Sequence, residues 1–155
     1  MDENLKQLFS KTRLLVSKED FAVVGLPAVA DVQIGGEGFS AVIKERGITT
    51  VILPVEKWEA SVQNVKGAVV EKPFKVIMFD TIVPWEGSSG FLAEISRVLS
   101  SEGISFGSVS AHSHDHIYVK ASEKDRAVKA LEKLISECKE GPAAPPAPAE
   151  EGEEE

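Results

Sequence analysis

Phe74-Lys75-Val76-Ile77-Met78-Phe79, then Ser88-Ser89-Gly90-Phe91-Leu92-Ala93-Glu94-Ile95, then Val98-Leu99 and Glu102-Gly103-Ile104-Ser105-Phe106: these runs set the fold of the chain. The first is a short apolar run suited to a strand. In the second, Phe91, Leu92, Ile95, Val98 and Leu99 recur at helical spacing and mark one buried face. Ser88 or Ser89 is the expected N-cap, and Gly103 the expected stop. Working outward, Ile104 to Ala111 reads as a strand, His112-Ser113-His114-Asp115 as a turn, and His116 to Lys120 as the returning strand. Ser122-Glu123-Lys124-Asp125 has capping-box spacing, with Asp at the position where Glu is usual. Val128, Leu131, Leu134, Ile135 and Cys138 form the stripe of a final helix.

The order is strand, helix, strand, strand, helix, which is a ferredoxin-like order lacking its last strand. Either a strand from the first half closes that sheet, or a partner chain does. The first half is richer in strands than in helices. Leu5, Leu8, Phe9 and Thr12 allow a short amphipathic helix. Phe21 to Leu26 reads as a strand stopped by Pro27. Phe39 to Lys44 and Ile48 to Leu53 read as a hairpin turning at Arg46-Gly47. Trp58, Val62 and Val65 keep helical spacing. The fold class expected is therefore α+β, with ferredoxin-like antiparallel sheets, helices on one face and two small units. The expected boundaries are 1–72 for a helix-poor β unit, 73–139 for the better-formed domain and 140–155 for a tail.

That tail runs Gly141-Pro142-Ala143-Ala144-Pro145-Pro146-Ala147-Pro148-Ala149 and ends in glutamates. With no aromatic and no β-branched residue it cannot bury enough surface to offset its ordering entropy, so disorder is expected. A solubilising role is the simple reading, and docking to a basic partner is the alternative. The whole chain of 155 residues carries a formal charge of −8, of which five charges are glutamates in the last six positions. That balance argues against a nucleic-acid footprint. No apolar run is long enough to cross a bilayer, and residues 1–6 show no signal-peptide pattern. A single cysteine, Cys138, cannot cross-link the fold internally, and a reducing, cytoplasmic setting is expected.

The run Ser89-Gly90-Phe91-Leu92-Ala93-Glu94-Ile95, with Val98-Leu99 and Gly103-Ile104 behind it, resembles the start of an ACT domain, over about residues 73–138. In that family a glycine opens the first helix, a Leu-Ala-Glu-Ile run follows, and a Gly-Ile pair begins the second strand. The layout of the first half extends the likeness to small proteins with two ACT-like units, a group related to cytosolic arginine sensors. Asp115-His116-Ile117-Tyr118-Val119-Lys120 occupies the place of that group's turn, which ends in Asp, an aromatic residue and aliphatics. Two departures touch the ligand loop: Ser88-Ser89 stand where an Asp is usual before the glycine, and the turn is rich in histidine. The resemblance implies a regulatory module, not an enzyme, that binds a small amino acid; a homodimer is expected because ferredoxin-like units with an exposed edge strand tend to pair through it.

The chemistry of such a site can be stated from the residues. A carboxylate suits a helix N-terminus, where backbone N–H groups stand open. Gly87, Ser88, Ser89, Gly90 and Phe91 would supply that end, with Gly90 admitting close approach to its backbone and the serines adding hydroxyl donors. An ammonium needs acceptors, which Glu86, Asp115 or the strand at Ser108 and Ser110 could provide. Trp85 would wall the pocket or stack on a guanidinium. A loop that only caps a helix has the same composition.

Two other constellations compete. His112, His114 and His116 would share a face of an unbroken strand, and with Asp115 would suggest a metal or a pH-sensitive loop, whereas a turn would scatter them. An interaction module without a ligand is the remaining alternative. Catalysis finds no support: Cys138 sits on an apolar stripe, Ser88 and Ser89 lack a nucleophile-elbow context, and Gly35, Gly36 and Gly38 fit no phosphate-binding motif. No cofactor is expected.

Overall fold

The computed structural model describes residues 1–27, 32–61 and 66–140. The 140–155 tail, apart from Glu140, and the expected helical positions Val62 and Val65 lie outside the described residues. The elements in chain order are α1 (Glu3–Ser10), β1 (Arg13–Val16), β2 (Phe21–Leu26), β3 (Ala41–Glu45), β4 (Ile48–Pro54), α2 (Val55–Ala60), β5 (Val69–Asp80), a 3-10 turn (Trp85–Gly87), α3 (Ser88–Ser101), β6 (Gly107–Ser110), β7 (Asp115–Lys120), a second 3-10 turn (Ala121–Glu123) and α4 (Lys124–Lys139).

One antiparallel sheet of seven strands runs β3-β4-β2-β5-β7-β6, with β1 also on β5. The 12-residue β5 is the member that both halves share. Ile77 pairs with Val16 of β1 on one edge and with Ile117 of β7 on the other. Phe74 likewise lies between Phe21 of β2 and Lys120 of β7. Strands β1 and β2 therefore follow one another along a single edge of β5. The corner between them is stitched down: Ser17 N–H donates to Val76 O (2.8 Å), and the Val76 N–H donates to Ser17 Oγ (3.0 Å).

This arrangement answers the question of the missing strand. The ferredoxin-like unit of β5, α3, β6, β7 and α4 is closed by β1, a strand from the chain's own N-terminus. The other unit takes β2, β3, β4 and α2 and uses the start of β5, from Val69, as its last strand. The expected boundary at 72/73 falls inside β5, which runs through it.

Side-chain alternation along the strands sorts the core into two faces. On the helix face, Ile77, Phe79, Ile117 and Val119 meet Phe9 of α1, Phe91, Ile95 and Leu99 of α3, and Ala127, Leu131, Leu134 and Ile135 of α4. Phe9 stacks on Phe91 with ring centroids 4.4 Å apart, and Phe79 meets Phe91 edge-on at 5.6 Å. The same face of the first unit packs Ala22, Val24, Leu26, Val51 and Leu53 against Val55 and Trp58. On the opposite face, Phe21, Ile52 and Val76 gather Phe39, Phe74, Val109 and Tyr118.

Several local expectations need correction. Phe39 is not in a strand: β3 starts at Ala41, and the ring of Phe39 folds over the sheet. Neither Ser88 nor Ser89 caps α3, because a 3-10 turn precedes the helix and makes Gly87 the N-cap without a side-chain bond. The Ser122 capping box does not form for the same reason: the turn Ala121–Glu123 leads into α4, and Glu123 is its N-cap. Strand β6 begins at Gly107, three residues later than the apolar pattern suggests, because Ile104 turns into the core behind Gly103. Gly103 does end α3, with φ of 68°.

Candidate ligand site

A cleft of about 600 Å³ opens between the start of α3 and the β6–β7 hairpin. Trp85, Ser88, Ser89, Ser110 and Asp115, all expected site residues, line it, together with Val83, Leu92 and the hairpin turn of Ala111, His112, Ser113 and His114. The fold explains the meeting. Strand β5 delivers the chain to the 3-10 turn at one end of the sheet, and β6 and β7 turn back at that same end. Ser110 and Asp115 are paired across the ladder and share the helix face of the sheet. The volume falls within the range of small-molecule sites.

The walls differ in chemistry. Val83, Leu92 and the exposed Trp85 ring are apolar, whereas four serines bring hydroxyls. Asp115 is the one acidic lining residue and is only 7% exposed. No lysine or arginine lines the cleft among the described residues. An acceptor set for an ammonium is thus better provided than a cationic receptor for a carboxylate. The backbone donors are also fewer than the sequence suggests. The Gly87 N–H donates to Pro84 O (2.9 Å) and the Ser88 N–H to Trp85 O, while Ser88 Oγ donates to the same Trp85 oxygen at 2.8 Å.

The remaining expected residues fall elsewhere. Glu86, Gly87 and Gly90 line a second cavity of about 550 Å³ behind the 3-10 turn, against Asp2, Asn4, Leu5 and Leu8 of the N-terminal segment, with Ser89 touching both cavities. A Cβ on Gly90 would meet Leu5 Cδ2 at 3.5 Å, so α1 covers that side of the helix. Phe91 is fully buried in the core. Ser108 is exposed on β6 and lines neither cavity. Val83, Leu92 and the turn residues Ala111 and Ser113 carry no site pattern in the sequence and become lining only through the sheet register.

The three histidines separate. His112 is exposed at the rim of the cleft. His114 is held by its Nδ1 against Ser113 Oγ (2.9 Å) and by its Nε2 3.6 Å from Asp80 Oδ1. Asp80 in turn accepts from Arg13 of β1 at 2.6 Å. His116 is buried on the opposite face of the sheet. Among the described residues no three metal-ligating side chains converge, so the metal reading of His112, His114 and His116 is not sustained. Burial pushes the His116 pKa below its ordinary 6.5, against the opposing pull of backbone groups at Val109 and His114 and of the Asp115 charge. Cys138 is half-buried beside α1, and burial raises its thiol pKa, which keeps it protonated.

This architecture defines a class: an α+β protein of ferredoxin-like type whose two units share one strand. Within it, residues 70–133 match the family model of the ACT domain. No curated protein sequence matches the chain. Solved structures do. A protein of Agobacterium tumefaciens superposes with a TM-score of 0.66 at 15% identity, covering 80% of this chain and 89% of its own. A protein of unknown function from Vibrio cholerae (a possible transport protein) gives 0.65 at 20% identity, covering 86% and 97%. The regulatory subunit of aspartate kinase from Thermus flavus gives 0.55 at 11% identity, covering 79% and 96%. These likenesses establish an ACT-like fold. No helix among the described residues is long and apolar enough to cross a membrane.

Proposed function

We propose that the chain is a regulatory module that binds a small amino acid in the cleft between Trp85–Ser89 and Ser110–Asp115. The observation that carries this reading is the convergence of five expected site residues on one cavity of ligand size. Asp115 is the acceptor for the ligand's ammonium, since a buried carboxylate gains most from a paired cation. The hydroxyl of Ser89, joined by that of Ser113 when His114 Nδ1 donates to it, holds the carboxylate in place of the occupied amides of Gly87 and Ser88, while the Ser88 hydroxyl stays on Trp85 O. Trp85 covers the side chain, and its face would suit a guanidinium, so arginine belongs in any panel tested. The match of residues 70–133 to the ACT domain and the likeness to an aspartate kinase regulatory subunit support regulation by an amino acid over catalysis.

We further propose that two copies pair in the cytoplasm. Trp85 and Ile82 stand 86% and 73% exposed beside the cleft, an apolar rim that a second copy would cover. The reading is tested by thermal shift across the proteinogenic amino acids. One of them raises the melting temperature of the wild type, and Asp115→Asn abolishes that rise while leaving the unliganded melting temperature within a few degrees. A panel without any shift defeats it.

A further inference from the structure

Asp115 and His116 are neighbours on β7 and point to opposite faces of the sheet. Asp115 lines the cleft. His116 is met on the other face by Phe39, from the other unit, with ring centroids 4.2 Å apart and planes 22° from parallel. Phe39 also lies 6.2 Å from Phe21 of β2, so one ring touches strands of both units. His116 is 8% exposed, and its Nδ1 is buried without a hydrogen-bond partner among the described residues. Backbone groups at Val109 and His114 act on the same side chain from within the hairpin, and the aromatic stack is the contact that reaches it from the other unit.

The segment that carries Phe39 is itself anchored. Lys57 of α2 donates through Nζ to the carbonyls of Gly35 (2.9 Å) and Glu37 (3.3 Å). Two residues after Phe39 the chain enters β3, with Ala41 opposite Ile52. The hairpin has a second, weaker tether on this face, through His114, Asp80 and Arg13. Beyond its own ladder and its pairing with β5, the hairpin is thus met on this face by side chains of other elements, Phe39 and Asp80 among them.

We propose that Phe39 is a positioning residue for the cleft: by clamping His116 it fixes the β6–β7 hairpin, and so sets where Asp115 and the turn of residues 111–114 stand against Trp85, Ser88 and Ser89. The inference rests on the cleft being the ligand site. A strand has no slack between adjacent residues, and packed cores pass on a shift instead of absorbing it. A displacement of Phe39 through α2 and Lys57 then changes the cleft, and by reciprocity a molecule seated on Asp115 tightens the Phe39 segment.

The test uses the full chain with Phe39→Ala and Phe39→Leu, the second keeping an apolar cover in case the first fails to fold. Residue-resolved amide exchange reads the hairpin. The Ala111 N–H, bonded to His114 O at 3.0 Å, is its reporter. Exchange at Ala111 is expected to quicken about tenfold, with α3 and α4 little changed, and the His116 ring titration followed by NMR moves up toward 6.5. An equal quickening in the hairpin and both helices would mean that Phe39 is only a piece of the core. A hairpin and a His116 titration like those of the wild type would overturn the clamp outright. These readouts need no ligand, so an amino-acid panel without a thermal shift defeats the ligand reading and leaves the clamp standing. An amino acid that binds Phe39→Leu as tightly as wild type, despite a loosened hairpin, breaks the link to the cleft.

Discussion

Gly107 sits opposite Tyr118 in the β6–β7 ladder, and the Tyr118 ring lies over the place where a Cβ would be. An alanine there forces the ring aside and loosens its edge-on contact with Phe74, 5.5 Å between centroids. Gly107→Ala is expected to cost about 1–2 kcal/mol, visible as a lowered melting temperature. An unchanged melting temperature would show that the ring moves freely. His116 gives a pH dependence whose sign follows from its burial. Its folded pKa is lowered, so the unfolded chain binds the proton more readily. The stability it contributes is complete above 6.5 and is lost as pH falls through the lowered folded value. Denaturant titrations over that interval should show a slope that His116→Phe reduces; a slope unaltered by the substitution would assign it to other groups.

At the level of elements, α1 and β1 complete the second unit from a distance in sequence. Phe9→Ala removes a fully buried ring and its stack on Phe91, and is expected to cost about 3–5 kcal/mol, measured by chemical denaturation. A cost below about 1 kcal/mol would mean that α1 is loosely held. The same pair of elements shows what the sequence could reveal. The helices α1, α3 and α4 were legible because their buried faces repeat at helical spacing, and β2 because Pro27 ends a clean apolar run. Strand β1 was not: Arg13-Leu14-Leu15-Val16 is short, and only its pairing with Ile77–Asp80 makes it a strand. The start of β5 was hidden too, since Val69–Pro73 is exposed and broken by Pro73. Of the candidate cleft, the lining residues Trp85, Ser88, Ser89, Ser110 and Asp115 could be read from a strand-turn-helix pattern and a hairpin. The separation of Glu86, Gly87 and Gly90 into another cavity could not, because it depends on α1 packing behind the 3-10 turn.

Over the whole molecule, β5 is the member on which two incomplete units become one sheet. Neither unit is complete without the other's residues, which is why Phe39 can lie against a hairpin from the far half. The surface left over is uneven. Ile82 and Trp85 are exposed beside the cleft, and Val42, Ile43 and Ile48 are exposed at the β3–β4 edge. Single exposed side chains are ordinary, but an edge strand carrying two of them invites pairing. Light scattering after size exclusion is expected to give a dimer at micromolar concentration, and a monomer throughout would contradict the proposed pairing.

The most direct measurement is the melting temperature of the wild type and of Asp115→Asn across the proteinogenic amino acids. At about a hundred times its dissociation constant a ligand adds about 2.7 kcal/mol, which moves the transition of a chain this size by several degrees. Binding at the cleft requires that shift for at least one amino acid in the wild type and its loss in Asp115→Asn. A shift of equal size in both proteins, or none in either, would contradict it.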